Sequence, residues 1–127
     1  MIKAAAIQIA PNLSSRAATT ELVLDAIEEA SSNGANFIVF PETFIPYYPY
    51  FSFVTPPVSQ GKEHIRLYEQ AVKVPSEETE LVAKKCLENE VVVVLGINER
   101  DHGSLYNSQL IFDADGSLLL KLSLIHI

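Results

Sequence analysis

One carboxylate in this sequence stands at a place where chemistry is expected. The stretch VFPETFIPYYPYF, residues 39–51, runs from a short apolar segment into a Pro-Glu pair, and an aromatic, proline-rich loop follows Glu42. In parallel α/β sheets the functional crevice lies beyond the carboxyl ends of the strands. A carboxylate held there can act as a general base. The residue types alone also allow Glu42 to be a solvated loop carboxylate or a helix cap.

The other reactive residue types offer less. Cys86, the single cysteine, lies in KKCLENE within a predicted helix. We therefore expect a half-buried structural thiol there and not a nucleophile. His64, His102 and His126 have neither metal-ligand spacing nor paired cysteines, so no metal site is predicted.

Composition limits the class of protein. The 127 residues suit one domain, and a hydrophobic content of 48% is enough for a core. A net charge of −7 and scattered Lys and Arg argue against a nucleic-acid-binding surface. No signal peptide is recognisable, and no apolar run reaches the ~20 residues of a membrane helix. A cytoplasmic protein with no membrane partner is the expectation.

Hydrophobic periodicity predicts the elements that must position Glu42. A strand at 2–10, a helix at 16–33 and a strand at 35–40 form a βαβ unit with parallel strands. Ser14 or Ser15 is the expected N-cap of the helix, and Gly34 follows its end. Four prolines between residues 43 and 60 exclude regular structure throughout that segment.

The second half of the chain is predicted to complete one sheet. Helices are expected near 61–73 and 77–89, the second one capped by Ser76. The run VVVVLGI (91–97) is typical of a central strand covered on both faces. Strands at 105–112 and 117–122 are joined by DADG, a hairpin turn signal. The order βαβ–αα–βββ indicates an α/β protein with a mixed sheet and an antiparallel edge.

Four segments together resemble one family: AAAIQIAP, GANFIVFPETFIPYYPYFSF, VVVVLGINER and GSLYNSQLIFDADGSLLLK. Residues 1–120 are similar to the N-terminal part of the nitrilase superfamily, and specifically to its nitrilase branch. The resemblance implies the N-terminal part of an α-β-β-α sandwich. It also implies a Glu-Lys-Cys triad, in which a cysteine attacks the nitrile carbon, a glutamate takes the thiol proton, and a lysine stabilises the tetrahedral intermediate.

Carried over residue by residue, the resemblance makes Glu42 the catalytic glutamate. Tyr48 and Phe53 would line the substrate pocket, where their flat faces suit an aromatic or arylaliphatic nitrile; packing of the loop by its own rings is the alternative. Asn107 in LYNSQ also matches a family position, which an ordinary strand hydrogen bond explains equally well. The family implies a small-molecule nitrile substrate, no metal or organic cofactor, and a homo-oligomer.

The other two triad members have no match. An ungapped alignment places the catalytic lysine of the family at Leu124, and Lys121 would face the opposite side of a strand. The cysteine of the family lies further downstream. We therefore expect residues 1–127 to be a partial, truncated carbon-nitrogen hydrolase domain with a divergent tail at 122–127, and to be inactive alone.

Two other functions stay open. An amidase or carbamoylase would use the same triad, although those branches usually lack the aromatic run PYYPYFSF. A non-catalytic fragment could instead pair through an exposed sheet edge. Nucleotide binding is disfavoured because no glycine-rich phosphate loop follows the first strand.

Overall fold

A computed structural model describes residues 1–124, which form a five-stranded mixed sheet with helices. The strands lie side by side in chain order: β1 (Ala4–Ala6), β2 (Phe37–Val39), β3 (Val92–Asp101), β4 (Ser104–Phe112) and β5 (Leu118–Ser123). The first three strands are parallel, and β4 and β5 follow antiparallel. The predicted α/β architecture and its antiparallel edge are confirmed.

The connections contain four helices and one short 3-10 turn. The helices are α1 (Arg16–Ser32), α2 (Phe51–Val54), α3 (Gly61–Gln70) and α4 (Glu77–Asn89), and the turn spans Pro57–Ser59. The Ser15 side chain caps α1 by accepting a hydrogen bond from the Ala18 amide. Gly34 follows the helix at a φ of 85°, a conformation that glycine adopts without strain. The Ser15 N-cap and the glycine after α1 both agree with the sequence prediction.

The hydrophobic core lies on one face of the sheet. Val93, Leu95 and Ile97 of β3 are buried, and α1 and α4 contribute buried side chains such as Ile27 and Val82 to the same cluster. Alternate residues of β3 lie on the opposite face, and there Val92 and Val94 are only half-buried. The expectation that both faces of this strand are covered is therefore wrong for this part of β3. Helices α1 and α4 pack on the core-facing side of the sheet.

Several boundaries differ from the sequence prediction. Strands β1 and β2 have three residues each, although the predicted ranges were 2–10 and 35–40. Helix α3 ends at Gln70 because the chain then turns to pair with β3: Val72 donates to the Asn98 carbonyl at 2.8 Å. Strand β3 continues to Asp101 because β4 pairs with residues 93–101 of β3.

None of the helices in residues 1–124 has the length and apolar character needed to cross a membrane. The predicted divergent tail at 122–127 falls within the described residues only as far as Leu124. His126 lies outside them.

Candidate active site

Glu42 lies on a short detour of the chain at the carboxyl end of β2. The Phe40 amide donates to the Val94 carbonyl of β3 at 2.9 Å, and the Ile45 amide donates to the Gly96 carbonyl at 3.3 Å. Between these two hydrogen bonds the chain leaves β3 and returns to it. Glu42 stands on that detour, beyond the carboxyl edge of the parallel strands, as the sequence predicted.

The turn at Glu42 depends on a glycine and on an unusual backbone conformation. A Cβ atom at Gly96 would lie 2.6 Å from the Thr43 amide nitrogen, so only glycine lets the turn approach β3 so closely. Thr43 itself is buried and has a φ of 44°, which is rare for a β-branched residue. Such strain persists only where the surroundings impose it, and it clusters at functional sites.

Asn98 of β3 holds the loop after the turn. Its Nδ2 donates to the Tyr47 carbonyl at 2.8 Å, and its backbone amide donates to the Ile45 carbonyl at 2.8 Å. The buried Asn98 side chain thus replaces the hydrogen bonds that an irregular, proline-rich segment cannot supply to itself. Ile45 and Tyr47 are consequently both fixed to β3.

The Glu42 carboxylate is held from a second strand. Nδ2 of Asn107, on β4, donates to Oε1 of Glu42 at 2.5 Å, although 65 residues separate the two in the chain. Asn107 lies opposite Asn98 across the β3–β4 pair. The sequence left two interpretations of Asn107 open, a family position and an ordinary strand hydrogen bond. The one signal in its favour was the match of LYNSQ to the family.

Glu42, Tyr48 and Phe53 border one cleft of about 700 Å³. The Tyr48 ring stacks on Phe53 at 6.3 Å between centroids and lies 4.8 Å from Tyr50, a third ring in the same wall. Glu42 itself is exposed at the cleft. The remaining lining is mostly apolar: Ile9, Ala10, Pro11, Leu13, Pro41, Phe44 and Tyr47.

Tyr48 also borders a second, smaller cleft. This cleft has a volume of about 360 Å³, and Asn98 and Asn107 line it together with Tyr48.

Tyr47 is buried beside the larger cleft, and burial raises the pKa of its hydroxyl above the ordinary value. Its Oη has no hydrogen-bond partner within residues 1–124.

Comparison with known proteins identifies the family. Residues 3–127 match the family model described as carbon-nitrogen hydrolase. The chain belongs to the carbon-nitrogen hydrolase family. It is 59% identical over 121 residues to a nitrilase of Paraburkholderia phymatum. The matched segment makes up 95% of this chain and 36% of that protein.

Two further similarities agree with this placement. An aliphatic nitrilase of Rhodococcus rhodochrous is 38% identical over 120 residues, or 94% of this chain and 33% of that protein. The crystal structure of a carbon-nitrogen hydrolase from Helicobacter pylori G27 superposes with a TM-score of 0.74 at 25% identity, over 99% of this chain and 40% of that one. The chain thus spans about a third of the length of the curated relatives it matches.

Lys121 is engaged away from Glu42. Its Nζ lies 2.5 Å from Oε1 of Glu99, a buried carboxylate that also accepts a hydrogen bond from Ser108 at 2.7 Å. Lys121 lies opposite Leu110 on the core-facing side of the sheet, whereas Asn107 lies on the other side. Lys121 and Asn107 therefore lie on opposite faces of the sheet, as the strand periodicity predicts.

Cys86 and the described histidines lie outside the larger cleft. Cys86 is completely buried in the core, not half-buried as predicted, and burial raises the pKa of its thiol to about 12. A thiol in that state is not a nucleophile at neutral pH. His64 contacts Gln60 and the Phe51 ring, and His102 pairs with Asp101. No group of three metal-ligating side chains occurs in the described part of the chain.

Proposed function

We propose that this chain is the part of a nitrilase that carries the catalytic glutamate. The whole enzyme would hydrolyse a nitrile to a carboxylic acid and ammonia. The observation that carries the proposal is the placement of Glu42: a strained turn fixes its backbone, Asn107 holds its carboxylate, and an apolar cleft opens beside it. The identity of 59% to a nitrilase supports the same reaction.

Glu42 would act as the general base of this reaction. It takes the proton of a cysteine thiol while the sulfur adds to the nitrile carbon, which gives a thioimidate whose nitrogen carries that proton. A first water then adds to the thioimidate carbon, and ammonia leaves from the resulting tetrahedral intermediate to give a thioester. Glu42 then activates the water that releases the acid, so two waters are consumed for each nitrile. The thiol and the lysine that stabilises the developing charge would come from the rest of the enzyme, since no described residue supplies them at Glu42.

The aromatic wall of the cleft supports an aromatic or arylaliphatic substrate. Tyr48, Tyr50 and Phe53 present ring faces and edges beside Glu42. A phenyl group can pack against such rings in an offset or edge-on arrangement, which adds to the free energy of burial. The name of the Rhodococcus relative points to aliphatic substrates for that protein. The aromatic preference proposed here therefore depends on the ring cluster. We propose in addition that the whole enzyme is a homo-oligomer and uses no cofactor.

A hybrid enzyme tests the reaction. In it, residues 1–121 of this chain replace the aligned N-terminal segment of the Paraburkholderia phymatum nitrilase. We expect the hybrid enzyme to release ammonia and acid from phenylacetonitrile, and Glu42→Gln to lower kcat by orders of magnitude because triad members act as a unit. Glu88→Gln is the matched control, because Glu88 pairs with Lys84 on the exposed face of α4. Undiminished turnover in Glu42→Gln would contradict the role of Glu42.

The same assay separates the amidase or carbamoylase alternative. Those enzymes would use Glu42 in the same way, so the substrate decides between them. We expect hydrolysis of phenylacetonitrile to exceed that of phenylacetamide in the hybrid enzyme. The reverse order would assign the residues of this chain to an amide-hydrolysing member of the family.

A non-catalytic, associating chain is the second candidate, and one observation favours it. The edge strand β5 and the residue after it expose a run of leucines: Leu118, Leu119, Leu120, Leu122 and Leu124. An unpaired edge with apolar side chains is a template for pairing with another chain. Sedimentation of the 127-residue chain tests this. A stable dimer that Leu119→Lys and Leu120→Lys abolish would favour association, and a monomer would leave the edge without that role.

A further inference from the structure

The two ends of the Asn107 side-chain amide are in different situations. Its Nδ2 donates to Oε1 of Glu42. Its Oδ1 is buried and accepts no hydrogen bond within residues 1–124. Buried acceptors are nearly always paired in folded proteins, so an orphaned one next to a candidate catalytic group needs a physical explanation.

Residue 124 follows β5 and lies beside Asn107 of β4. The Leu124 amide donates to the backbone carbonyl of Asn107 at 2.8 Å. Leu122 lies opposite Gln109 in the β4–β5 pair, so continuation of the register places residue 124 opposite Asn107, on the same face of the sheet. The Leu124 side chain is 37% exposed and offers no hydrogen-bond donor.

We propose that Asn107 is a positioning residue that links the base to a cation at residue 124. Its amide nitrogen holds Oε1 of Glu42, and its amide oxygen accepts a hydrogen bond from a lysine ammonium at that position. This inference rests on the proposed function and on the family resemblance, which places the catalytic lysine of the family at residue 124, a leucine in this chain. An amide suits the task because it has a donor for a carboxylate and an acceptor for an ammonium on one rigid group.

The geometry explains what this link would accomplish. With Oε1 bound by Asn107, the carboxylate cannot rotate freely, and Oε2 remains for the proton of the attacking thiol. The ammonium would be held near the base but in contact with a neutral oxygen. The carboxylate and the ammonium would thereby be oriented without forming a direct ion pair. Each would stay at the position that its step of the reaction requires.

The first test uses the full 127-residue chain and needs no catalysis. Leu124→Lys supplies the missing donor, and Leu122→Lys is its matched control, because Leu122 is similarly exposed on the same face but lies opposite Gln109. We expect Leu124→Lys to have a melting temperature higher than that of Leu122→Lys by about 3 °C. The difference should vanish when both are combined with Asn107→Leu. A difference that persists without the Asn107 amide would overturn the inference.

The second test uses the hybrid enzyme, in which the relative supplies the residue at 124. Asn107→Asp keeps the size and shape of the side chain but replaces the N–H donor with an oxygen, so the Glu42 carboxylate loses its hydrogen bond and faces a like charge. We expect kcat to fall roughly 10- to 100-fold with KM nearly unchanged, because a misplaced base affects the chemical step. Gln109→Leu, on the same strand and face, should leave both constants unchanged.

The outcomes of the two tests are separable. An unchanged kcat in Asn107→Asp, or a rise in KM at constant kcat, would overturn the positioning role even if nitrile hydrolysis is established. If the unsubstituted hybrid enzyme itself fails to hydrolyse nitriles, the proposed function fails. The melting-temperature comparison in the 127-residue chain then decides whether Asn107 binds a cation at residue 124.

Discussion

Gly96 lies directly against the turn that carries Glu42. A Cβ atom on Gly96 would lie 2.9 Å from the Glu42 Cα and 2.3 Å from the Pro41 carbonyl oxygen. Both distances are shorter than real Cβ contacts, and the atoms on the other side are backbone atoms that cannot move independently. The position of Glu42 is therefore set by the absence of a side chain on the neighbouring strand.

Gly96→Ala is expected to displace the Glu42 turn. The methyl group must push the backbone of residues 41–43 away from β3, at a cost of about 1–3 kcal/mol in the free energy of unfolding. In the hybrid enzyme we expect kcat to fall by more than the loss of folded protein explains. Gly61→Ala is the control, because a Cβ at Gly61 meets no atom within 4 Å. Equal activity of the two variants would show that the turn tolerates the displacement.

Tyr48→Ala is expected to affect aromatic nitriles more than aliphatic ones. The Tyr48 ring stacks on Phe53 and lines the cleft at Glu42, so its removal takes away a surface that only a ring-bearing substrate uses. The measurement is kcat/KM of the hybrid enzyme for phenylacetonitrile and for a short aliphatic nitrile. Phe51→Ala is the matched control, since Phe51 packs on His64 and does not line this cleft. An equal loss for both substrates would point to loop packing instead.

Much of the fold followed from local patterns in the sequence. The β-branched run at 91–97 and the helical face of residues 16–33 predicted a strand and a helix that the structure contains. The run could not reveal that Val92 and Val94 would stay half-buried, because an apolar pattern predicts a tendency to bury and not the presence of a covering layer. The coverage of the curated relatives shows that about two thirds of their length has no counterpart here.

The candidate site was also predictable only in part, because some of its contacts join segments that are distant in the chain. Glu42 and its aromatic loop are contiguous in sequence, so one segment indicated them together. Asn107 reaches Glu42 through the register of β3 with β4, and a contact across 65 residues leaves no trace in periodicity. Gly96 likewise gave no signal of its close contact with the turn. Positions that hold a candidate catalytic group from another strand require the three-dimensional structure.

Cys86 should make stability depend on alkaline pH. Burial raises the pKa of its thiol to about 12 from an ordinary value of 9.0, so the folded state disfavours the thiolate. The resulting stabilisation is complete below the ordinary pKa and is lost as the pH rises through the folded one. We expect the melting temperature of the 127-residue chain to fall more steeply between pH 8.5 and roughly 10.5 than that of Cys86→Ala.

The difference between the two slopes of melting temperature against pH isolates the contribution of the Cys86 thiol. Cys86→Ala begins with a lower melting temperature because it leaves a small cavity in the core. Other groups that titrate in this range, Tyr47 among them, are present in both proteins and cancel in the difference. Parallel slopes would show that the thiolate is accommodated in the folded state, and Cys86 would then have to be reconsidered as a reactive thiol.

The 127-residue chain itself is expected to release no ammonia above background from phenylacetonitrile or from a short aliphatic nitrile. Glu42 can orient a water molecule, but without a thiol the hydrolysis is not divided into two easier steps, and without a cation the developing charge is not stabilised. Cys86 is buried in the core, and Lys121 is paired with Glu99, so neither can serve at Glu42 as folded. Purified chain and its Glu42→Gln variant should therefore give the same rate. Ammonia release that disappears in Glu42→Gln would contradict this, and loss of the same activity in Cys86→Ala or in Lys121→Met would then identify the residue that assists Glu42.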